Sequence, residues 1–177
     1  MKNTSGKTIL ETERLLLREM TTADFEPLCG ILQDPEVMYA YEHAFSDDEV
    51  RNWLNNQLRR YREDGFGLWA VIRKTDETFI GQTGLTMQDI GDRQVVEVGY
   101  LFRKDAWGQG YATEAAQACK KYAFQELNLP EVWSIIRDSN TASQAVAKRN
   151  GMAPAGSIVK HYYGMDMPHI LYKVTKK

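Results

Sequence analysis

Gly108 and Gly110 flank Gln109 in the segment LFRKDAWGQGYATEA, between an apolar run that ends at Phe102 and a helix expected to begin near Gly110. A helix start leaves backbone N–H groups unpaired and carries partial positive charge. Glycines let such a backbone approach a ligand closely. Together these features predict an anion site suited to phosphate. A tight turn that needs positive φ would use the same glycines.

Two other phosphate-binding patterns match this segment poorly. A dinucleotide-binding loop needs a third glycine three residues after the second one, and Thr113 occupies that position here. Such a loop also follows the first strand of its domain, whereas this segment lies about two-thirds along the chain. The complete Walker pattern, Gly-x-x-x-x-Gly-Lys-Ser/Thr, does not occur. The patterns alone leave the phosphate ligand open.

A second candidate for chemistry is Glu97, which interrupts the apolar run Val95-Val96-Glu97-Val98. A carboxylate in a buried strand is costly unless a cleft, water or a cation accompanies it. Partial burial would raise its pKa toward the range that suits a general base. An ordinary strand carboxylate, paired with an arginine or facing solvent, is the alternative interpretation.

Composition limits the class of protein. The chain has 177 residues, 43% apolar and 26% charged, which is typical of one soluble globular domain, predicted for residues 1–177. No segment approaches the ~20 apolar residues of a membrane span, and the charged N-terminal segment predicts no secretory signal. Two cysteines and three histidines without ligand spacing predict neither disulfides nor a metal site. The net charge of −2 argues against a nucleic-acid binder. A cytoplasmic protein is expected.

The hydrophobic periodicity predicts alternating strands and helices. Strand-like runs mixed with strand–helix–strand crossovers favour an α+β (mixed α/β) fold rather than a doubly wound parallel sheet. Ser46 to Glu49 has the form of a capping box. The predicted strands are 14–19, 68–73, 78–87, 94–102 and 132–136 with a final hairpin, and the predicted helices start near Thr22, Ser46, Ala112 and Thr141.

Five segments, in order along nearly the whole chain, resemble the GNAT superfamily of N-acetyltransferases, and within it the RimJ/RimL-type branch. They are ETERLLLRE, FIGQTGL, VEVGYLF, AWGQGYATEA and NTASQAVAKRNGM. The resemblance implies a twisted, mostly antiparallel sheet of about seven strands, flanked by helices and splayed at its central strands. It also implies acetyl-CoA as the cofactor.

The resemblance assigns the cofactor site residue by residue. The backbone of residues 108–112 would cradle the pyrophosphate, the end of the strand at 101–102 would pair with the pantetheine arm, and Asn140 would bond that arm further along. Asp105 stands where the family loop usually begins with Gln or Arg. Nearby basic residues, Arg103, Lys104, Lys148 and Arg149, are candidates for the outer phosphate. The predicted cofactor-binding residues are Leu101, Phe102, Trp107, Gly108, Gln109, Gly110, Tyr111, Ala112, Thr113, Asn140 and Ser143.

The resemblance also suggests catalytic roles. Glu97 would act as the base, through water. A backbone N–H near Tyr100 or Leu101 would meet the developing oxyanion if this strand bulges. Many relatives carry a tyrosine acid where Ala147 stands, so Ser143 would offer a hydrogen bond to the sulfur instead. An exposed helix hydroxyl is the alternative interpretation of Ser143.

The predicted reaction is direct acetyl transfer in a ternary complex with a primary amine. Tyr39 and Tyr41, in a loop after Pro35, are the predicted substrate contacts together with Glu97. A protein N-terminal α-amine is the first choice of acceptor. A small amine such as an amino acid, polyamine or aminoglycoside is the alternative. A non-catalytic acyl-CoA-binding module and a nucleotide-binding domain are rival functions. A homodimer is compatible with the sequence and not required by it.

Overall fold

The computed structural model describes residues 6–177 and shows one eight-stranded sheet with four α-helices. This confirms the mixed α+β class. The prediction of about seven strands omitted the first, which has only four residues. The strands are β1 (Thr8–Glu11), β2 (Leu15–Arg18), β3 (Leu68–Arg73), β4 (Thr78–Ile90), β5 (Arg93–Phe102), β6 (Glu131–Arg137), β7 (Ala153–Tyr162) and β8 (Met165–Thr175), and the helices are α1 (Phe25–Leu32), α2 (Asp47–Glu63), α3 (Tyr111–Gln125) and α4 (Thr141–Arg149).

The sheet has the order β1-β2-β3-β4-β5-β6-β8-β7, and β5 and β6 are its parallel neighbours. β4 and β5 pair over ten consecutive positions, from Gly81 opposite Phe102 to Ile90 opposite Arg93. β5 and β6 share a single pair, Glu97 opposite Trp133. The sheet therefore opens beyond Glu97, as the resemblance predicted, because the last five residues of β5 lie beyond that pair.

The helices form a layer on each face of the sheet. α1 and α2 pack on one face, where Leu28, Ile31 and Leu54 join a buried cluster with Leu68 and Phe79. α3 and α4 cover the other face, and their buried residues share a cluster with alternate strand residues. Such alternation follows from the two-residue period of a strand. The second cluster includes Ala115, Ala116, Cys119, Val146, Leu85, Val98 and Phe102.

Local signals fix the helix ends that matter for the site. The Ser46 hydroxyl accepts from the Glu49 N–H, and the Glu49 carboxylate accepts from the Ser46 N–H, which confirms the predicted capping box of α2. Gly110, with φ of +81°, is the N-cap of α3, and Asn140 is the N-cap of α4. No helix within residues 6–177 is both long and apolar enough to cross a membrane. The single domain over 1–177 stays a prediction.

Candidate active site

The gap between β5 and β6 begins at Glu97. Here the Glu97 side chain, instead of a backbone carbonyl, accepts a hydrogen bond from β6. The Ile135 N–H donates to Glu97 Oε2 at 2.6 Å, and the Ser134 hydroxyl donates to the Val98 carbonyl at 2.8 Å. These two side chains bridge strands that no longer pair through their backbones. The strands are thus held at a fixed separation with a carboxylate at the point of divergence.

A cavity of about 420 Å³ lies over this point, on the face that carries α2. Its floor follows from strand register: Gln82 lies opposite Leu101 and Thr86 opposite Glu97, so these four side chains share one face of the sheet. The tip of the β7–β8 hairpin closes the far side. The lining includes Tyr41, Phe45, Trp53, Arg60, Gln82, Thr86, Glu97, Gly99, Leu101, Arg137, Asn140, Ser143, Lys160, Tyr162, Tyr163 and His169.

Burial raises the pKa of Glu97 to about 7, although the Ile135 N–H, Lys160 and Arg60 all act in the opposite direction. Desolvation is the largest of these effects because the carboxylate lies at the base of an apolar and aromatic cavity. The side chain still borders the cavity, so water or substrate can reach it. A group with this pKa exchanges protons readily near neutral pH.

The backbone of β5 presents polar groups to the opening. The Val98 carbonyl faces β6, since Ser134 reaches it, and backbone groups alternate in direction along a strand. The N–H of Tyr100 therefore points toward β6 as well. β5 keeps an unshifted register against β4, so the predicted bulge near Tyr100 is absent. The donor becomes available because β6 diverges, not because β5 bulges.

The start of α4 lies beside this opening. Asn140 Oδ1 caps the helix through the Ser143 N–H at 3.2 Å and also accepts from the Tyr39 hydroxyl at 2.7 Å. The Tyr100 hydroxyl donates to the Ser143 carbonyl at 2.6 Å. Tyr39 lies on a 3₁₀ turn, Met38–Tyr41, rather than in the open loop that was predicted. Asn140 and Ser143 line the cavity, and Tyr39 adjoins it through Asn140.

The glycine segment forms the turn between β5 and α3. Gly108 and Gly110 have φ of +75° and +81°, so both occupy a backbone region that favours glycine. A Cβ on Gly108 would meet open space, and one on Gly110 would lie 3.4 Å from Arg14. Positive φ is thus a sufficient reason for these glycines. The open surface around them leaves room for a phosphate.

Arg14 anchors this turn, and the sequence analysis did not identify it. Its guanidinium donates to the Gln109 carbonyl at 2.9 Å and to Glu114 at 2.7 Å, and it lies over the Tyr111 ring. The Trp107 indole N–H donates to the Phe102 carbonyl at 3.1 Å while 46% of its surface stays exposed. The turn is therefore held from both ends, so its N–H groups are preorganised.

The basic residues predicted for the outer phosphate divide into two kinds. Arg103 pairs with Asp105 at 2.6 Å, and Lys104 pairs with Glu36. Lys148 and Arg149 lie exposed at the C-terminal end of α4. Arg103 and Lys104 would have to leave their acidic partners to contact a phosphate.

Sequence reasoning located one part of the cavity and missed another. Glu97, Leu101, Asn140, Ser143 and Tyr41 line it, whereas Phe102 and residues 107–113 lie outside its lining. The missed lining residues come from α2, β4 and the β7–β8 hairpin, where no local motif marks them. They include Arg60, Gln82, Lys160 and His169, and of these only Gln82, a polar residue in the run FIGQTGL, interrupts an apolar pattern that could have marked it.

Two of the missed residues are buried and oriented by hydrogen bonds. Gln82 Oε1 accepts from the Trp53 indole N–H at 2.9 Å, and its Nε2 is buried without a partner among residues 6–177. His169 Nδ1 lies 2.8 Å from the Met167 carbonyl, so Nδ1 carries the proton and Nε2 is an acceptor. Burial lowers the pKa of His169.

The sheet opening, the anchored glycine turn and the cavity define a GNAT-type acyltransferase site. The chain belongs to the GNAT family of acetyltransferases, since residues 14–153 match the model of the acetyltransferase (GNAT) domain. It is an N-acetyltransferase of this family, and acetyl-CoA is its acyl donor. The turn at Gly108 and Gly110 leaves room for the pyrophosphate, and the gap between β5 and β6 leaves room for the pantetheine arm, so both features fit that cofactor.

Individual proteins resemble the whole chain. The Bacillus subtilis protein YkkB is 38% identical over 88% of this chain and 91% of its own length. A Bacillus anthracis GNAT acetyltransferase structure is 27% identical with a TM-score of 0.79, covering 94% of this chain and 97% of that one. RimL, the ribosomal L7/L12 α-N-protein acetyltransferase, solved with coenzyme A, is 16% identical with a TM-score of 0.77, covering 96% and 98%. The last likeness shows the fold alone.

Proposed function

We propose that this chain acetylates an α-amine by direct transfer from acetyl-CoA in a ternary complex, with Glu97 as the general base. The observation that carries the proposal is the position of Glu97, a carboxylate of raised pKa at the point where β5 and β6 diverge. Within residues 6–177, the cavity is lined by no cysteine that could carry the acetyl group. Direct transfer is therefore the simpler route.

The residues of this chain would divide the chemistry among them. Glu97 Oε2 is held by the Ile135 N–H, which leaves Oε1 to take a proton from the incoming ammonium through a water molecule. The Tyr100 N–H, which points into the gap, would stabilise negative charge on the carbonyl oxygen. Ser143 would donate a hydrogen bond to the departing sulfur. When bound, acetyl-CoA supplies an activated acetyl group whose C–S bond breaks as the C–N bond forms.

The cofactor contacts divide between the turn and α4. The backbone N–H groups of the Trp107–Thr113 turn, held by Arg14, would bind the pyrophosphate. The free edge of β5 near Leu101 and Phe102, where the backbone groups of Tyr100 and Phe102 point away from β4, would pair with the pantetheine amides. Asn140 Oδ1 already accepts two hydrogen bonds, so its amide Nδ2 is the group that would donate to the pantetheine arm.

The base strength favours an α-amine over a lysine side chain. An α-ammonium has a pKa near 8, so transfer to a carboxylate of pKa about 7 is uphill by about one unit, or roughly 1.4 kcal/mol. A lysine ammonium would require over three units, or about 4–5 kcal/mol. We propose a protein N-terminal α-amine of the RimJ/RimL kind as the acceptor, and a small α-amine as the second candidate. The cavity volume of about 420 Å³ is the observation that favours the second candidate.

A thiol-release assay with acetyl-CoA tests the proposal. We expect release of coenzyme A to require an α-amine acceptor, and Glu97→Gln to lose most of the rate while cofactor binding stays unchanged. Full activity of Glu97→Gln would contradict the assignment of the base. Binding of coenzyme A with no turnover on α-amino peptides, amino acids, polyamines or aminoglycosides would favour a non-catalytic module.

A further inference from the structure

Apart from Glu97, the charged residues that line the cavity are all positively charged. Glu97 is the one carboxylate among its lining residues, whereas Arg60, Lys160 and Arg137 are all cationic there. Arg137 is paired with Glu42. The cavity therefore holds two further cations beside one carboxylate that is needed for proton transfer.

Neither of these two cations forms an ion pair within residues 6–177, although Asp64 and Glu97 act on Arg60 electrostatically from a greater distance. Arg60, half-buried on α2, donates from Nη1 to Gln57 Oε1 at 3.1 Å, and this neutral amide is its hydrogen-bond acceptor. Lys160 is half-buried on β7, where its backbone pairs with Met167, and its ammonium has no hydrogen bond or ion pair to any described residue. Partly buried cations ordinarily pair with an anion. Other partly buried cations of the chain do so: Arg18 with Asp24, Arg73 with Asp76 and Arg137 with Glu42.

Arg60 and Lys160 line the same cavity from two different elements. Arg60 comes from the helix layer, Lys160 comes from the hairpin, and both act electrostatically on Glu97. Arg60 is oriented because Gln57 Oε1 also accepts the Leu68 N–H at 3.0 Å, which ties the helix to the start of β3. A group bound between them would lie near the reacting amine.

We propose that the acceptor carries a carboxylate close to its α-amine, and that Arg60 and Lys160 bind this carboxylate. The inference rests on the proposed function and names its substrate class. The carboxylate can be that of a free amino acid or an acidic side chain at the second position of a peptide. Polyamines and aminoglycosides are excluded, since their additional ammonium groups would face Arg60 and Lys160.

Isosteric acceptors test the proposal. Ala-Glu-amide and Ala-Gln-amide differ in one charge. Free alanine and alaninamide differ in one charge and also in the pKa of the amine, so their rates are compared per neutral amine. Spermidine serves as a polycation. We expect kcat/KM to be about 10- to 100-fold higher for the carboxylate of a pair, the range of a hydrogen bond to a charged group. The pair with the larger difference identifies the source of the carboxylate. Equal rates within both pairs, or preference for spermidine, would overturn the proposal.

Variants separate binding from tuning of the base. Arg60→Gln and Lys160→Gln should remove the preference through a higher KM. Arg59→Gln, the neighbouring exposed arginine on α2, should keep it. If Arg60 and Lys160 acted solely on Glu97, these variants would shift the pH profile and leave the acid-to-amide ratio unchanged, which would also overturn the proposal.

A binding measurement distinguishes failure of the inference from failure of the proposed function. Calorimetry on the coenzyme A complex would compare N-acetyl-Ala-Glu-amide with N-acetyl-Ala-Gln-amide, and N-acetylalanine with its amide, none of which needs turnover. Tighter binding of an acid form without catalysis would remove the transferase function and keep the carboxylate site. Turnover together with equal binding of the acid and the amide forms would keep the transferase function and overturn the carboxylate site.

Discussion

The Glu97 side chain has a structural role in addition to its proposed chemical role. Its Oε2 accepts the Ile135 N–H that a regular parallel ladder would pair with a carbonyl. Glutamine could keep this contact, because its side-chain carbonyl is also an acceptor. Glu97→Gln is therefore the substitution that removes the charge while leaving the strand junction in place.

At this residue we predict a pH dependence of activity. A base must be deprotonated to act, so kcat/KM should fall about tenfold per pH unit below a pKa near 7. Glu97→Gln should move this limb up to the pKa of the acceptor amine, near 8, and lower kcat by about 10²- to 10⁴-fold. Glu63→Gln, on the exposed end of α2, serves as the control. A wild-type profile that is flat between pH 5.5 and 7 would contradict the prediction.

The same group predicts how stability changes with pH. The pKa of Glu97 rises on folding from its ordinary 4.5 to about 7, so the folded state disfavours the charged form. The resulting destabilisation is absent below pH 4.5, grows between the two values and is complete above pH 7. Glu97→Gln should therefore raise Tm more at pH 8 than at pH 5, by thermal unfolding. An equal change in Tm at both pH values would contradict this cause.

At the scale of elements, features that depend on neighbouring residues were predicted from the sequence. Features that depend on residues far apart in the chain were not. β3 has the predicted bounds, Leu68–Arg73, and the Ser46–Glu49 capping box is present, because both depend on neighbouring residues. The anchor between Arg14 and Glu114 joins residues 100 positions apart, and no local pattern marks it. The same holds for Lys160, which reaches the cavity because the β7–β8 hairpin continues the sheet beyond β6.

The candidate site shows this limit most clearly at β5. The apolar run with one glutamate indicated a central strand and a polar requirement, and both are present. The bulge expected near Tyr100 is absent because β4 holds β5 in register. The opening instead depends on the direction taken by β6, which is set by packing against β8 and cannot be read from the residues of β5.

The turn before α3 allows a prediction about one element. Gly110→Ala places a Cβ at φ of +81° and 3.4 Å from the guanidinium of Arg14, so the turn would have to shift. We expect a several-fold higher KM for acetyl-CoA and a loss of about 1–2 kcal/mol of stability. Gly91→Ala, in the β4–β5 turn with φ of +60° and open space, is the matched control. It should lose similar stability without a change in KM, and a KM unchanged in Gly110→Ala would contradict the role of the turn.

At the scale of the whole molecule, the gap between β5 and β6 connects the two helix layers, which the sheet otherwise separates. The cavity lies on the α2 face and reaches Asn140 and Ser143 at the start of α4, while the glycine turn and α3 belong to the opposite face. A cofactor that extended from the turn into the gap would contact residues of β5, α3 and α4 together. Its binding energy would then be distributed over these three elements of the C-terminal half of the chain.

This arrangement predicts that coenzyme A stabilises the folded chain as a unit. Free ligand at 100 times its Kd should add about 2.7 kcal/mol, seen as one Tm shift common to far-ultraviolet and tryptophan signals. ATP and NAD at the same concentration should give a smaller shift, because they lack the pantetheine arm that reaches Asn140 and β5. Asn140→Ser retains a capping oxygen for α4 but removes the amide. It should therefore lower the coenzyme A shift with little change in the ligand-free Tm, and an ATP shift equal to that of coenzyme A would favour a nucleotide site instead.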